Sequence, residues 1–205
     1  MQPLSCIILA GGLSSRMGRD KALLPICQQH DLLTHMVNLA RSAGAANILV
    51  SRSPALQPEA LGYVPFIADH YSQQGPLAGL QACLPECKHE RILVLPVDMP
   101  ALTKDVLEML LKSTTSACFK GYELPLLIVA ESGQRDRLQS FLNEQLQSAN
   151  ARCSIRSMLH FLQVNELPAT HEQHMLNTNS PEQWRLFLSL KDELQPDAAT
   201  GNNQH

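Results

Sequence analysis

The stretch Leu4–Pro25, LSCIILAGGLSSRMGRDKALLP, decides how this 205-residue chain is read. Leu4–Leu9 is a short, mostly apolar run, as expected of a strand covered on both faces. The chain then places Gly11, Gly12, Ser14, Ser15, Arg16, Arg19 and Lys21 in quick succession, with Asp20 as the first negative charge. A plain surface turn needs one or two special residues, and this one uses far more.

Working outward, apolar runs of strand length alternate with helical stripes. Residues 31–45, DLLTHMVNLARSAGA, carry apolar side chains at Leu32, Leu33, Met36, Val37, Leu39 and Ala40, and Gly44 is placed to end that helix. Residues 47–51 (NILVS), 64–69 (VPFIAD) and 91–98 (RILVLPVD) read as strands. Residues 76–84 (PLAGLQACL) read as a short helix with Pro76 in its first turn, and 103–113 as a helix capped by Thr103. Strand and helix in alternation predict an α/β fold, a mostly parallel central sheet between two helical layers. Beyond residue 115 the pattern loosens. SACF and LPLLIVA read as strands, RDRLQSFLNEQLQS as a helix, RSMLHFLQVNEL as helix into strand, and SPEQWRLFLSLKDEL as a closing helix capped by Ser180. One domain over residues 1–191 is expected, with the polar remainder to 205 as a disordered tail.

Composition narrows the function. A net charge of −3 and 4% aromatic residues disfavour a general nucleic-acid binder, so any anion site must be local. Cys6, Cys27, Cys83, Cys87, Cys118 and Cys153 form no C-x-x-C pair and read as reduced packing residues of a cytoplasmic protein. The opening MQPLSCIILAGG reads as lacking a signal peptide, and no apolar run approaches the roughly 20 residues of a membrane span. His171 and His174, in HEQH, are not the H-E-x-x-H zinc pattern.

In a parallel sheet, ligands sit beyond the carboxyl ends of the strands, where the chain from Ala10 onward lies. Adjacent glycines admit close backbone approach, and successive N–H groups wrap phosphate oxygens. Arg16 supplies a planar fork and Lys21 a point charge, a pair suited to a triphosphate. The loop is neither G-x-x-x-x-G-K-[ST] nor G-x-G-x-x-G, so a glycine turn with a solvated basic flank is the plain alternative. Asp98 follows RILVLPV at a strand's carboxyl end, where a carboxylate meets bound phosphates and Mg²⁺.

Four spaced motifs together resemble the molybdenum cofactor guanylyltransferase (MobA) family of nucleotidyltransferases. They are LAGGLSSRMGRDKALL from Leu9, GPLAGL from Gly75, PVDMPAL from Pro96 and NTNSPEQW from Asn177. The resemblance spans roughly residues 4–190 and implies a three-layer Rossmann-like nucleotidyltransferase fold. It implies Mg²⁺-dependent transfer of GMP from GTP to molybdopterin, with pyrophosphate released. Arg16, Lys21 and Asp98 would be catalytic, with Asp98 on the metal. Leu9, Ala10, Gly11, Gly12, Lys21, Ser51, Asp69, Gly75 and Asp98 would bind the nucleotide, and Asn177, Asn179 and Arg156 would face the acceptor. Implied partners are the two small-molecule substrates and enzymes that deliver or receive the cofactor. The family often has Asn where Ser51 stands, and Glu123-Leu124-Pro125 departs from its His-Pro or Gln-Pro, which bears on acceptor binding. Rival readings are a transferase using CTP or a sugar phosphate, and a nucleotide-binding homologue without catalysis. Asp20-Lys21 resembles the guanylyl branch, because the cytidylyl branch tends to show Pro-Lys.

Overall fold

A computed structural model describes residues 2–11, 20–26, 30–58, 61–71, 74–148 and 154–194. The strands are β1 (Leu4–Leu9), β2 (Asn47–Ser51), β3 (Phe66–Ile67), β4 (Arg91–Pro96), β5 (Ala117–Phe119), β6 (Leu126–Val129) and β7 (Asn165–Leu167). The helices are α1 (Leu32–Ser42), α2 (Pro76–Cys83), α3 (Lys104–Leu111), α4 (Ser132–Gln147), α5 (Ile155–Phe161) and α6 (Pro181–Leu194). One seven-stranded sheet runs in the order β3-β2-β1-β4-β6-β5-β7. β1 is parallel to both β2 and β4, so its end is flanked by two other carboxyl ends.

The expected mostly parallel sheet forms, with one antiparallel strand. β6 is antiparallel to β4 and β5 because residues 120–125 are too few for a crossover, which takes about a dozen. β5 therefore runs in the same sense as β4, and β7 is parallel to β5. β3 is shorter than the expected 64–69 run. It lies at the sheet edge and pairs only through Val50–Phe66 and Ser51–Ile67. The last helix continues to Leu194, past the boundary drawn at 191. The tail from 195 lies outside the described residues.

Alternation along the strands builds two cores. Cys6 and Ile8 of β1 and Leu93 and Leu95 of β4 pack with Leu33 and Met36 of α1, Leu107 and Leu110 of α3 and Phe187 of α6. Ile7, Ile92 and Val94 face the other way, toward Leu77 and Leu80 of α2, Leu138 and Leu142 of α4 and Met158 of α5. The expected caps form, Thr103 accepting from Val106 N at 3.4 Å and Ser180 from Gln183 N at 3.3 Å, and Asp31 likewise accepts from Thr34 N at 2.7 Å ahead of α1. Gly44 follows α1 at φ +90°, a conformation that glycine adopts without strain.

The four described cysteines, Cys6, Cys83, Cys87 and Cys118, are buried free thiols. Burial pushes Cys6 and Cys83 far up, Cys87 to about 12 and Cys118 to about 11. These are packing groups, not poised nucleophiles. No described helix is long and apolar enough to cross a membrane.

α2 meets β2 at Gly79. A Cβ there would lie 2.1 Å from Ser51 Oγ and 2.8 Å from Ser51 Cβ. Gly79→Ala is expected to lower stability by about 1–3 kcal/mol, read by urea denaturation, because the helix must shift off the strand end.

Candidate active site

The carboxyl ends of β1, β2 and β4 gather the chemistry. Ala10 N donates to Ser51 O at 3.1 Å and Val97 N donates to Leu9 O at 3.1 Å, so the three ends are laced together. At the β2 and β3 side, Ser51 Oγ donates to Asp69 Oδ1 at 2.8 Å. A Cβ on Gly11 would come within 3.2 Å of Asp69 Oδ2 and 3.3 Å of Ser51 O. A side chain at residue 11 would therefore crowd its protein neighbours. Gly11, Ser51 and Asp69 thus form one cluster.

Gly75 precedes α2 at φ +69° and ψ −160°, a conformation that disfavours a side chain, and it has open space where a Cβ would stand. Gly79, in the same motif, is small for a different reason: it presses on Ser51 rather than leaving room for a ligand.

The charged centre lies across β1 and β4. Lys21 begins a short 3₁₀ turn, Lys21–Leu23. Its Nζ donates to Asn179 Oδ1 at 2.5 Å and stands 3.8 Å from Asp98 Oδ2. The side chains of Lys21 and Asp98 are 16% and 24% exposed, so the pair is sheltered yet reachable. Asn179 lies in the segment leading into α6, so three distant pieces of sequence meet at one ammonium group. Asn177 sits in the same segment and is exposed.

The turn bearing Asp98 is held by its carbonyls. Thr178 donates to Asp98 O from N at 2.8 Å and from Oγ1 at 3.2 Å. A ring nitrogen of His35 pairs with Pro100 O and one of His174 with Ala101 O, each at 3.1 Å. His174 is therefore a brace for this turn. Burial lowers the pKa of His35, which favours the neutral ring seen by the Pro100 carbonyl.

Arg52 and Asp20 were not singled out by sequence pattern as a pair. The Arg52 side chain is 4% exposed and grips both carboxylate oxygens of Asp20, Nη1 to Oδ1 at 3.0 Å and Nη2 to Oδ2. Nη1 also donates to Ala10 O at 3.3 Å. The hydrogen bonds from Arg52 hold the Asp20 carboxyl below its ordinary value of 3.8, against partial burial, which raises it.

Arg156 is not brought to this centre. Its Nε lies 3.5 Å from Glu123 Oε1, and both line a cleft of about 660 Å³ with Tyr122, His160 and Glu166. The cleft includes the turn after β5, whose carboxyl end points the same way as that of β4. Glu123, which departs from the expected motif, therefore faces an arginine. Gly12 and Arg16 lie outside the described residues.

Gly11, Lys21 and Asp98 thus stand at adjoining strand ends of a mostly parallel sheet, an arrangement that suits a nucleotidyltransferase. A family model described as the MobA-like NTP transferase domain matches residues 6–163, and the chain belongs to that family. It is 36% identical over 192 residues to the molybdenum cofactor guanylyltransferase of Xanthomonas euvesicatoria, covering 91% of this chain and 95% of that one. A nucleotidyl transferase from Methanothermobacter superposes with a TM-score of 0.71 at 18% identity, covering 95% of this chain and 98% of the other. The molybdopterin-guanine dinucleotide biosynthesis protein A of Archaeoglobus fulgidus does so at 0.70 and 20% identity, covering 92% and 99%. These two structures share the fold.

A carboxyl group depressed in the folded state stabilises the protein above its unfolded pKa and loses that contribution as pH falls through the folded value. The melting temperature of the parent is expected to drop more steeply than that of Asp20→Asn from about pH 5 to about pH 3. Differential scanning calorimetry at stepped pH reads the difference.

Proposed function

We propose that this chain transfers GMP from GTP to the phosphate of molybdopterin and releases pyrophosphate. A phosphate oxygen of the acceptor attacks the α-phosphorus. The bond from that phosphorus to the bridging oxygen breaks, and the electron pair leaves with the pyrophosphate. A phosphate nucleophile is already ionised at neutral pH, so no side-chain base is required to activate it. The demand is for positive charge around crowded anions.

The observation that carries this reading is the seating of Lys21 between Asp98 and Asn179 at the end of the first strand. The name of the Xanthomonas relative supports the choice of GTP and the acceptor. In this reading Lys21 neutralises the departing pyrophosphate, and Gly11, Ser51 and Asp69 cradle the nucleoside, with Leu9 and Ala10, whose backbone groups are tied to Val97, Ser51 and Arg52, fixing the strand end beside it. Gly75 opens α2 toward the phosphates. Gly12 and Arg16 complete the phosphate loop, and Asn177, Asn179 and Arg156 serve the acceptor side.

Asp98 fits a Mg²⁺ ion. Mg²⁺ takes one or two carboxylates and fills its remaining positions with water and phosphate oxygens, and Asp98 offers one partly exposed carboxylate at a strand end. When bound, the ion would supply charge stabilisation at the phosphates. Asp98 would hold it, and Lys21 would turn from Asp98 to the phosphates. The buried free thiols agree with a cytoplasmic setting.

The test follows pyrophosphate from each of the four nucleoside triphosphates with Mg²⁺, with and without molybdopterin. GTP alone should support release, and only with the acceptor present. Release with CTP and not GTP would contradict the base assignment, and release with a sugar phosphate as the only acceptor would contradict the acceptor. Lys21→Ala and Asp98→Ala should each slow turnover by about 10²-fold or more, while retaining the parent's melting curve.

A further inference from the structure

We infer that Arg52 is a positioning residue for nucleotidyl transfer: it ties Ala10 to Asp20 and, through Asp20, fixes the turn that presents Lys21. The inference rests on the reading of Lys21 as a phosphate-binding group.

Arg52 follows β2 directly, and its own N donates to Ile67 O at 2.9 Å, so its backbone is anchored on the sheet edge. From that anchor the guanidinium reaches both flanks of the phosphate loop, Ala10 O on the β1 side and the Asp20 carboxylate on the far side. Asp20 passes the constraint on. Its Oδ1 accepts from Ala22 N at 3.2 Å, and its backbone carbonyl accepts from Leu23 N at 3.2 Å, closing the 3₁₀ turn in which Lys21 stands. From that turn Lys21 Nζ reaches Asn179 and Asp98. A continuous route of hydrogen bonds thus runs from the rigid sheet to the ammonium group.

The residue types suit the task. A carboxylate gripped by a planar fork is fixed in direction as well as distance, which a lysine in place of Arg52 would not achieve. Pairing also matters for charge. Asp20 adjoins Lys21, and an unpaired carboxylate there would oppose the binding of an anion. The fork on both oxygens offsets that charge. Removing one partner of a sheltered pair leaves the other uncompensated, so the effect of substitution should be large.

Steady-state kinetics test the inference. Arg52→Gln should lower kcat by about tenfold or more with nucleotide KM changed by less than about threefold, and Arg52→Lys should fall between it and the parent. In a Lys21→Ala background, Arg52→Gln should cost less than about threefold more, because both changes remove one function. A merely structural role predicts losses that multiply. Parent-like kcat in Arg52→Gln, or multiplied losses in the double variant, would overturn the inference.

Amide hydrogen exchange provides a readout without turnover. Ala22 N–H should exchange at least about tenfold faster in Arg52→Gln and in Asp20→Asn, and at the parent rate in Lys21→Ala. Unchanged protection in Arg52→Gln would overturn the inference even if the parent transfers no GMP, whereas faster exchange in an inactive parent would sustain the route while the functional reading fails. If Arg52→Gln does not fold, Arg52→Lys is measured in both assays, where a loss of about threefold or more in kcat with faster Ala22 exchange is expected, and parent-like values in either would overturn the inference.

Discussion

The contact of Lys21 with Asp98 and Asn179 is the constraint on which the rest of the site depends. It joins the loop after β1, the turn after β4 and the segment before α6 at one cation. None of these pieces could define an anion site alone. A glycine loop alone is an ordinary turn, an aspartate at a strand end lacks a direction, and an asparagine before a helix is simply a cap. Brought within a few ångströms, they form a centre where a polyanion and its counter-charges can be arranged.

Such a centre works only if its members stay in place, and the fold supplies support from below. The Asp98 turn is pinned through its carbonyls by Thr178, His35 and His174, drawn from three parts of the chain. Lys21 is pinned through Asp20 and Arg52 to the edge of β2. On the nucleoside side, Gly79 lets α2 close directly on Ser51, which in turn holds Asp69. Each support is a short polar contact over a sheet whose two cores leave little room for movement.

Much of this was legible in sequence because the signals were local. Runs apolar on successive positions gave β1 and β4, the stripe from Leu32 gave α1, and Thr103 and Ser180 marked helix starts. Asp98, Lys21 and Asn179 were identified by motif. What pattern could not yield was contact between distant segments. Nothing local marks Arg52 as the partner of Asp20, since an arginine after a strand is most often solvated. His174 was set aside as no zinc ligand but given no role, because its partner, Ala101 O, is far away in sequence. β6 could be read as a strand, but its antiparallel sense follows from the short 120–125 connection, not from its own residues. Arg156 was grouped with the acceptor side, but only coordinates pair it with Glu123 in a cleft beside the turn after β5.

A crystal structure of the chain with Mg²⁺ and a non-hydrolysable GTP analogue tests the central claim most directly. The account requires the triphosphate between the Lys21 ammonium and the Asp98 carboxylate, with the nucleoside over Gly11, Ser51 and Asp69. A nucleotide seated in the Arg156–Glu123 cleft, or one that leaves the Lys21–Asp98 pair untouched, would contradict it.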